Sequence, residues 1–256
     1  MVASPPFAMK DIQSLPDDRR IDIRKVGVKN ITYPITVRDK SRTLQQTVAT
    51  VNMYVNLPHH FKGTHMSRFI EILNRFHGQI DLKSFHCILE EMKTRLQAEA
   101  AHMEIEFPYF LKRPCEFASA AGISEYRCRM HGVLNDHDHL ILTVQVPISA
   151  PLPTQQAEGL PRSLGHWGVA EISLRFTRFI WIEDFIEMAE EVIALHLDRP
   201  IASSGPRDLS VEKIAKALGR KFAGHPDISW FAVTVENLAA GFNTFASLEW
   251  PEPTVH

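Results

Sequence analysis

The most constraining feature of this sequence is an order of periodicities that occurs twice. Residues 47–57 alternate, with Val51, Met53, Val55 and Leu57 facing one way and Thr50, Asn52, Tyr54 and Asn56 the other. A period of two with one apolar side marks a half-buried strand. Residues 31–38 form its expected partner. Helical spacing then takes over. Residues 66–76 read as one helix and 82–100 as a second, with Phe85, Ile88, Leu89, Met92 and Leu96 on one face. Strands follow near 103–110 and 123–134. The order then recurs. Residues 139–147 set Leu140, Leu142, Val144 and Val146 against Ile141, Thr143 and Gln145. Residues 169–177 alternate Val169, Glu171, Ser173 and Arg175 with Ala170, Ile172, Leu174 and Phe176. Helices are expected over 182–197 and 209–221, the latter capped by Asp208 or Ser210. Strands near 228–236 and 244–250 complete the series.

Two strands, two helices and two strands, repeated, give an α+β chain of two ββααββ units with antiparallel sheets. The expected division is an N-terminal arm over 1–25, a first unit over 26–135 and a second over 136–256. The run Pro147–Pro153 reads as a loop within the second unit. Four-stranded units have open edges that call for partners, so a homo-oligomer, dimer or tetramer, is expected.

Composition narrows the function classes. Of 256 residues, 23% are charged, and the net charge of −2 argues against a nucleic-acid binder. No apolar run reaches the roughly 18–20 residues of a membrane span. The N-terminal residues carry neither the basic nor the apolar region of a secretory signal. Cys87, Cys115 and Cys128 are three cysteines without CxxC spacing. They read as reduced thiols in a cytoplasmic protein, with Cys115 and Cys128 as small buried hydrophobes. Thirteen histidines raise the question of a metal.

Several motifs are more specific. Asp11–Ser14, Lys25–Lys29, Tyr33-Pro34-Ile35, Gln46–Ala49, Phe107-Pro108-Tyr109-Phe110 and, above all, Lys62-Gly63-Thr64-His65-Met66-Ser67-Arg68-Phe69 resemble the GTP cyclohydrolase IB family. The similarity is dense over 11–75, moderate to about 135 and thin afterwards. It implies the tunnelling fold, in which ββααββ units pair across subunits and a purine-like substrate binds at the interface. It also implies hydrolysis of GTP to dihydroneopterin triphosphate and formate, with a divalent metal held by Cys, His and Glu.

This chain departs from that family at the metal. The family's Ser-Leu-Cys-Pro-Cys-Ser loop corresponds to Ala150-Pro151-Leu152-Pro153-Thr154-Gln155. Leu152 therefore stands for the ligand Cys, and Thr154 for the second Cys. Ala202 replaces the Glu of Arg-Pro-Asp-Glu, while Ala239 and Phe242 replace a C-terminal Glu and His. Leu, Ala and Phe cannot ligate a metal that needs about three or four donors. Two site positions persist: His166, expected as acid/base, and Glu212, expected to grip the heterocycle edge. Lys62, His65 and Arg68 suit a bound anion at a helix start. Glu183, Glu187, Glu190 and Glu191 read as a solvated helix face.

The expectation is a divergent family member without a cofactor, acting on a purine- or pterin-like heterocycle. One alternative is a genuine GTP cyclohydrolase with relocated ligands, His137, His139 and His166. Another is a non-catalytic heterocycle-binding or scaffold protein of the same fold.

Overall fold

The computed structural model describes residues 23–41, 44–57, 66–76, 78–79, 81–113, 122–135, 138–149, 166–197, 210–238 and 241–251. The elements run β1 (Ile23–Arg38), β2 (Leu44–Leu57), α1 (Ser67–Arg75), α2 (Leu82–Arg95), β3 (Ala100–Arg113) and β4 (Gly122–Leu134). Then come β5 (Asp138–Ser149), β6 (His166–Phe176), α3 (Ile182–Leu197), α4 (Val211–Ala223), β7 (Ile228–Asn237) and β8 (Thr244–Trp250). This is the ββααββ order, twice. The strands form one eight-stranded sheet in which chain neighbours are sheet neighbours. The β5–β6, β6–β7 and β7–β8 pairs are antiparallel. No helix among the described residues is long and apolar enough to cross a membrane.

Packing divides the described residues into two compact units. The first consists of the described residues within 1–36, 49–105 and 131–139, and the second of those within 37–48, 106–130 and 140–256.

In the first unit the alternation of β2 is realised as expected. Val51, Met53 and Val55 are fully buried, together with Met103 and Ile105 of β3, Phe69 and Ile72 of α1, and Ile88 and Met92 of α2. Removing such side chains from water contributes roughly 1.5–3 kcal/mol each. Gly132 of β4 makes room for α2, since a Cβ there would lie 2.2 Å from the Phe85 ring. A capping box opens α2: Asp81 Oδ1 accepts from Ser84 N–H at 2.7 Å, and Ser84 Oγ accepts from Asp81 N–H at 2.8 Å. The helix stops at Arg95 rather than at residue 100. Gln97 takes a left-handed φ of 52°, and Glu99 N–H donates to Asn56 O at 3.1 Å. The chain is drawn into β3 before another turn can form.

In the second unit, Val144, Val146, Ile172, Leu174, Val233 and Val235 face the core. The Phe222 ring of α4 lies 5.6 Å from Phe185 of α3 and 5.8 Å from Phe231 of β7. β5 continues through Pro147, opposite Val169, to Ser149, so the expected loop begins later than its first proline. The register slips between Ile148 and Ser149, just after Pro147.

On the acidic side of α3, Glu187 and Glu191 are exposed as expected, but Glu183 and Glu190 are not. Glu183 is only 8% exposed. Its Oε1 accepts from Tyr109 Oη at 2.5 Å and from Lys40 N–H at 2.7 Å. Glu190 accepts from the Tyr126 hydroxyl. Both tyrosines are buried, and a buried hydroxyl needs an acceptor. The sequence periodicity could not show that β3 and β4 send hydroxyls to meet Glu183 and Glu190.

Candidate functional site

The second unit collects candidate residues at one rim of its sheet. His166 opens β6 opposite Ser149. Two residues on, Gly168 lies opposite Asn237, the last residue of β7, and Asn237 pairs in turn with Thr244, the first of β8. A Cβ on Gly168 would lie 2.2 Å from Glu236 O, so the β6 and β7 backbones approach here as only glycine allows.

Helix α4 carries Glu212 towards the same rim. Near its C-terminus Phe222 packs on Phe231, and one turn earlier a Cβ on Gly219 would lie 3.1 Å from Leu248, the partner of Val233. Moving back along the helix therefore means moving along β7 from Phe231 towards Asn237. At about 1.5 Å per residue, Glu212 lies roughly 10 Å beyond Gly219 in that direction.

Glu212 is exposed, and its carboxylate is oriented locally. Ser210, the N-cap, donates Oγ–H to Glu212 Oε2 at 2.6 Å and accepts from Lys213 N–H at 3.2 Å. The positive end of a helix favours negative charge in its first turn. A carboxylate so placed can accept a pair of N–H donors from a ligand edge. Of the two caps the sequence allowed, Ser210 is the one in use.

Phe242, by contrast, is 72% exposed. It follows Gly241, whose φ of 98° suits glycine. Asn243 Nδ2 donates to Glu236 Oε1 at 3.1 Å beside it. Arg68 lies half-buried on α1 in the first unit. Lys62, His65, Leu152, Thr154, Ala202, Ala239 and Cys115 lie outside the described residues, as does the side chain of His166.

Of the positions Leu152, Thr154, Ala202, Ala239 and Phe242, which the resemblance places at the metal, only Phe242 is among the described residues. Among the described residues no group of three or more His, Cys, Asp or Glu side chains converges as a metal centre requires. Phe242 offers no donor atom, and His139 is an exposed residue near the start of β5.

Two further polar clusters escaped the sequence reading. In the first unit, Tyr54 and His102 stack with centroids 4.7 Å apart, and Lys25 Nζ lies 4.7 Å from the Tyr54 centroid. His102 Nε2 is 3.0 Å from Asn56 Oδ1, and Asn52 Nδ2 donates to Glu104 Oε2 at 3.0 Å. Burial, then the nearby Lys25 and His131, hold His102 below the ordinary imidazole range, against the pull of Glu104. The alternation had placed Asn52, Tyr54 and Asn56 on one face. The pairing that brings His102 and Glu104 to them was not legible. In the second unit, burial and the Glu183 carboxylate push Tyr109 far above the usual phenol range. The same two causes raise the fully buried Cys128 thiol, which stays protonated and inert.

Comparison with known proteins now decides the family. Residues 9–199 match the family model described as Type I GTP cyclohydrolase folE2. The protein named GTP cyclohydrolase FolE2 from Syntrophotalea carbinolica is 41% identical over 257 residues, covering 96% of this chain and 97% of that protein. The chain belongs to the type I GTP cyclohydrolase folE2 family. The motifs above had suggested the IB family; the family shown carries the folE2 description. Its member named GTP cyclohydrolase FolE2 from Syntrophobacter fumaroxidans is 43% identical over 248 residues, covering 92% of this chain and 96% of that protein. The tunnelling fold is shown separately. A hyperthermostable mutant of Bacillus sp. TB-90 urate oxidase superposes with a TM-score of 0.57 at 9% identity, covering 89% of this chain and 98% of that one. A second urate oxidase structure from the same organism gives 0.55 at 10% identity, covering 89% and 99%. At such identities the likeness concerns the fold alone.

Proposed function

We propose that this folE2-family chain is a divergent GTP cyclohydrolase-type enzyme. It binds a purine- or pterin-type heterocycle, GTP foremost, at an interface between copies of the chain in a homo-oligomer. Glu212 grips the N–H edge, His166 acts as acid/base, and Lys62, His65 and Arg68 receive the anionic part. The cytoplasmic setting expected from its sparse cysteines belongs to the same reading. The observation that carries it is the Glu212 carboxylate, exposed on the first turn of α4 and held by Ser210 at 2.6 Å. The helix runs towards the rim where β6 begins at His166.

The reading includes work without the family's metal. Leu152, Ala202, Ala239 and Phe242 supply no side-chain N, O or S donor. GTP binding, lost in Glu212→Ala, is expected. So is metal content well below one per chain, with any heterocycle turnover insensitive to chelator and lost in His166→Ala.

A second reading is favoured by the 41% identity to a protein named GTP cyclohydrolase over nearly the whole chain. Here GTP and water give formate and dihydroneopterin triphosphate, with a metal held by His137, His139 and His166. Stoichiometric metal with chelator-sensitive formate release would establish it in place of the first. Tight binding with no turnover of any heterocycle would instead identify a binding or scaffold protein.

A further inference from the structure

The edge of the first unit carries a charged arrangement that the proposed function leaves unused. Strand β1 stands at one end of the sheet order, so β2 is its only neighbouring strand. Near the start of β1, Gly27 has no room for a side chain, since a Cβ there would lie 2.0 Å from Met53 O. Lys25, two residues earlier, reaches over β2 instead. Its Nζ lies 4.7 Å from the centroid of the Tyr54 ring, where the ring's quadrupole attracts a cation. His102 of β3 sits on the same ring, with 4.7 Å between centroids and 13° between planes. Tyr54 is buried and His102 half-buried.

The surroundings of His102 favour a single proton. Its Nε2 lies 3.0 Å from Asn56 Oδ1. An amide oxygen only accepts, so the neutral ring carries its proton on Nε2 and leaves Nδ1 bare. A second proton would go to Nδ1 and create a cation beside Lys25. The charged and titratable groups that face the ring are Lys25 from β1, Tyr54 from β2, Glu104 from β3 itself and His131 from β4. Glu104 is the carboxylate among them, and it is shared. Its Oε2 accepts from Asn52 Nδ2 at 3.0 Å, and its Oε1 lies 4.0 Å from His131 Nε2.

We propose that His102 is a proton-operated latch on the N-terminal end of β1. While His102 is neutral, the Tyr54 ring holds Lys25, and with it the start of the edge strand. Once His102 is protonated, two cations compete for one ring, and β1 opens from this end. The inference does not draw on the reading of Glu212. Burial, then Lys25 and His131, keep His102 below the ordinary imidazole range, with Glu104 opposing. Coupling is reciprocal: if Lys25 disfavours the proton, the proton disfavours the placement of Lys25 by the same factor. The unfolded chain takes up this proton near the ordinary value of about 6.5, and the folded chain only at lower pH. The latch is therefore fully closed above that pH and weakens as pH falls through it.

Hydrogen exchange of the full chain, followed by mass spectrometry at about pH 7.5 and about pH 5.5, tests the latch. Rates are compared as protection factors, which remove the intrinsic pH dependence of exchange. Protection at the start of β1 is expected to fall about tenfold at the lower pH, a coupling of ordinary size, while β6 and β7 keep theirs. His102→Phe keeps a flat ring on Tyr54 but cannot titrate, so its β1 protection should be the same at both pH values. Lys25→Met keeps the aliphatic stem without the charge, and an NMR titration should show the His102 midpoint rising towards the ordinary imidazole value. The latch is overturned if β1 protection in the parent ignores pH, or if it falls equally in His102→Phe. Should His102→Phe not fold, the Lys25→Met titration decides alone: an unmoved His102 midpoint means that lysine and histidine are not coupled, and the proposal falls.

Discussion

Two glutamates occupy the same place in their helices and have opposite surroundings. Glu183 is the second residue of α3, and Glu212 the second residue of α4. Both sit in a first turn, where negative charge is favoured. Glu183 is buried, with Tyr109 Oη and Lys40 N–H on one oxygen. Its other oxygen is buried without a hydrogen-bond partner among the described residues. Glu212 is exposed, and Ser210 Oγ–H donates to its Oε2 at 2.6 Å. Helix position is thus neutral as to role. What separates them is burial: residues of other segments, Tyr109 and Lys40, donate to Glu183, while Glu212 stays exposed.

The comparison breaks first at Glu183. Glu183→Ala would strand a buried hydroxyl and a backbone N–H, so a loss of about 3 kcal/mol is expected, read by urea denaturation. If the denaturation midpoint stays put, the buried role is wrong. Tyr109→Phe removes one donor and leaves the Lys40 bond in place, so about 1–2 kcal/mol is expected.

Tyr109 also gives a pH signature. Its folded pKa is raised, chiefly by burial and then by Glu183. In the unfolded chain it ionises near the ordinary value of about 10, and in the folded chain it does not. Its contribution is therefore fully present below that pH and is lost as pH rises beyond it. Denaturation between about pH 9 and 11 should show the parent losing stability more steeply than Tyr109→Phe. Parallel curves would exclude the coupling.

Lys40 sharpens the picture further. Its ammonium pairs with Asp184 at 2.5 Å on the surface, while its backbone N–H donates to the part-buried Glu183 oxygen. Lys40→Ala keeps the backbone donor, so its melt should overlay the parent's. The smallest stability effect is expected at Glu212→Ala, within about 0.5 kcal/mol by the same denaturation assay. That substitution should instead abolish heterocycle binding, which Glu183→Gln should leave intact.

The fold was largely legible because burial imposes period two on strands and a near-four spacing on helices. Val51, Met53 and Val55, or Ala170, Ile172 and Leu174, declare their face without knowledge of any neighbour. Boundaries were harder where a distant bond decides them. The end of α2 depends on Glu99 reaching Asn56, and β5 passes through Pro147 because β6 pairs with it there. The candidate site was legible to the extent that single residues carry it. Glu212 could be singled out, and Ser210 named as a cap, but the bond joining them needs the side-chain geometry of the helix start. The tyrosine–glutamate pairs and the Tyr54–His102 stack join residues many positions apart. No local pattern encodes such partners.

The two tyrosine–glutamate pairs have one more consequence. Tyr109 and Tyr126 stand on consecutive strands, while Glu183 and Glu190 stand two turns apart along α3. One such bond would act as a pivot, about which a cylinder of leucines and isoleucines could still swing or screw. Two bonds at separate points define a line. They index the helix like dowels in a joint, so a rotation or slide by even one residue breaks both at once, and greasy packing with no angular preference of its own acquires a unique setting.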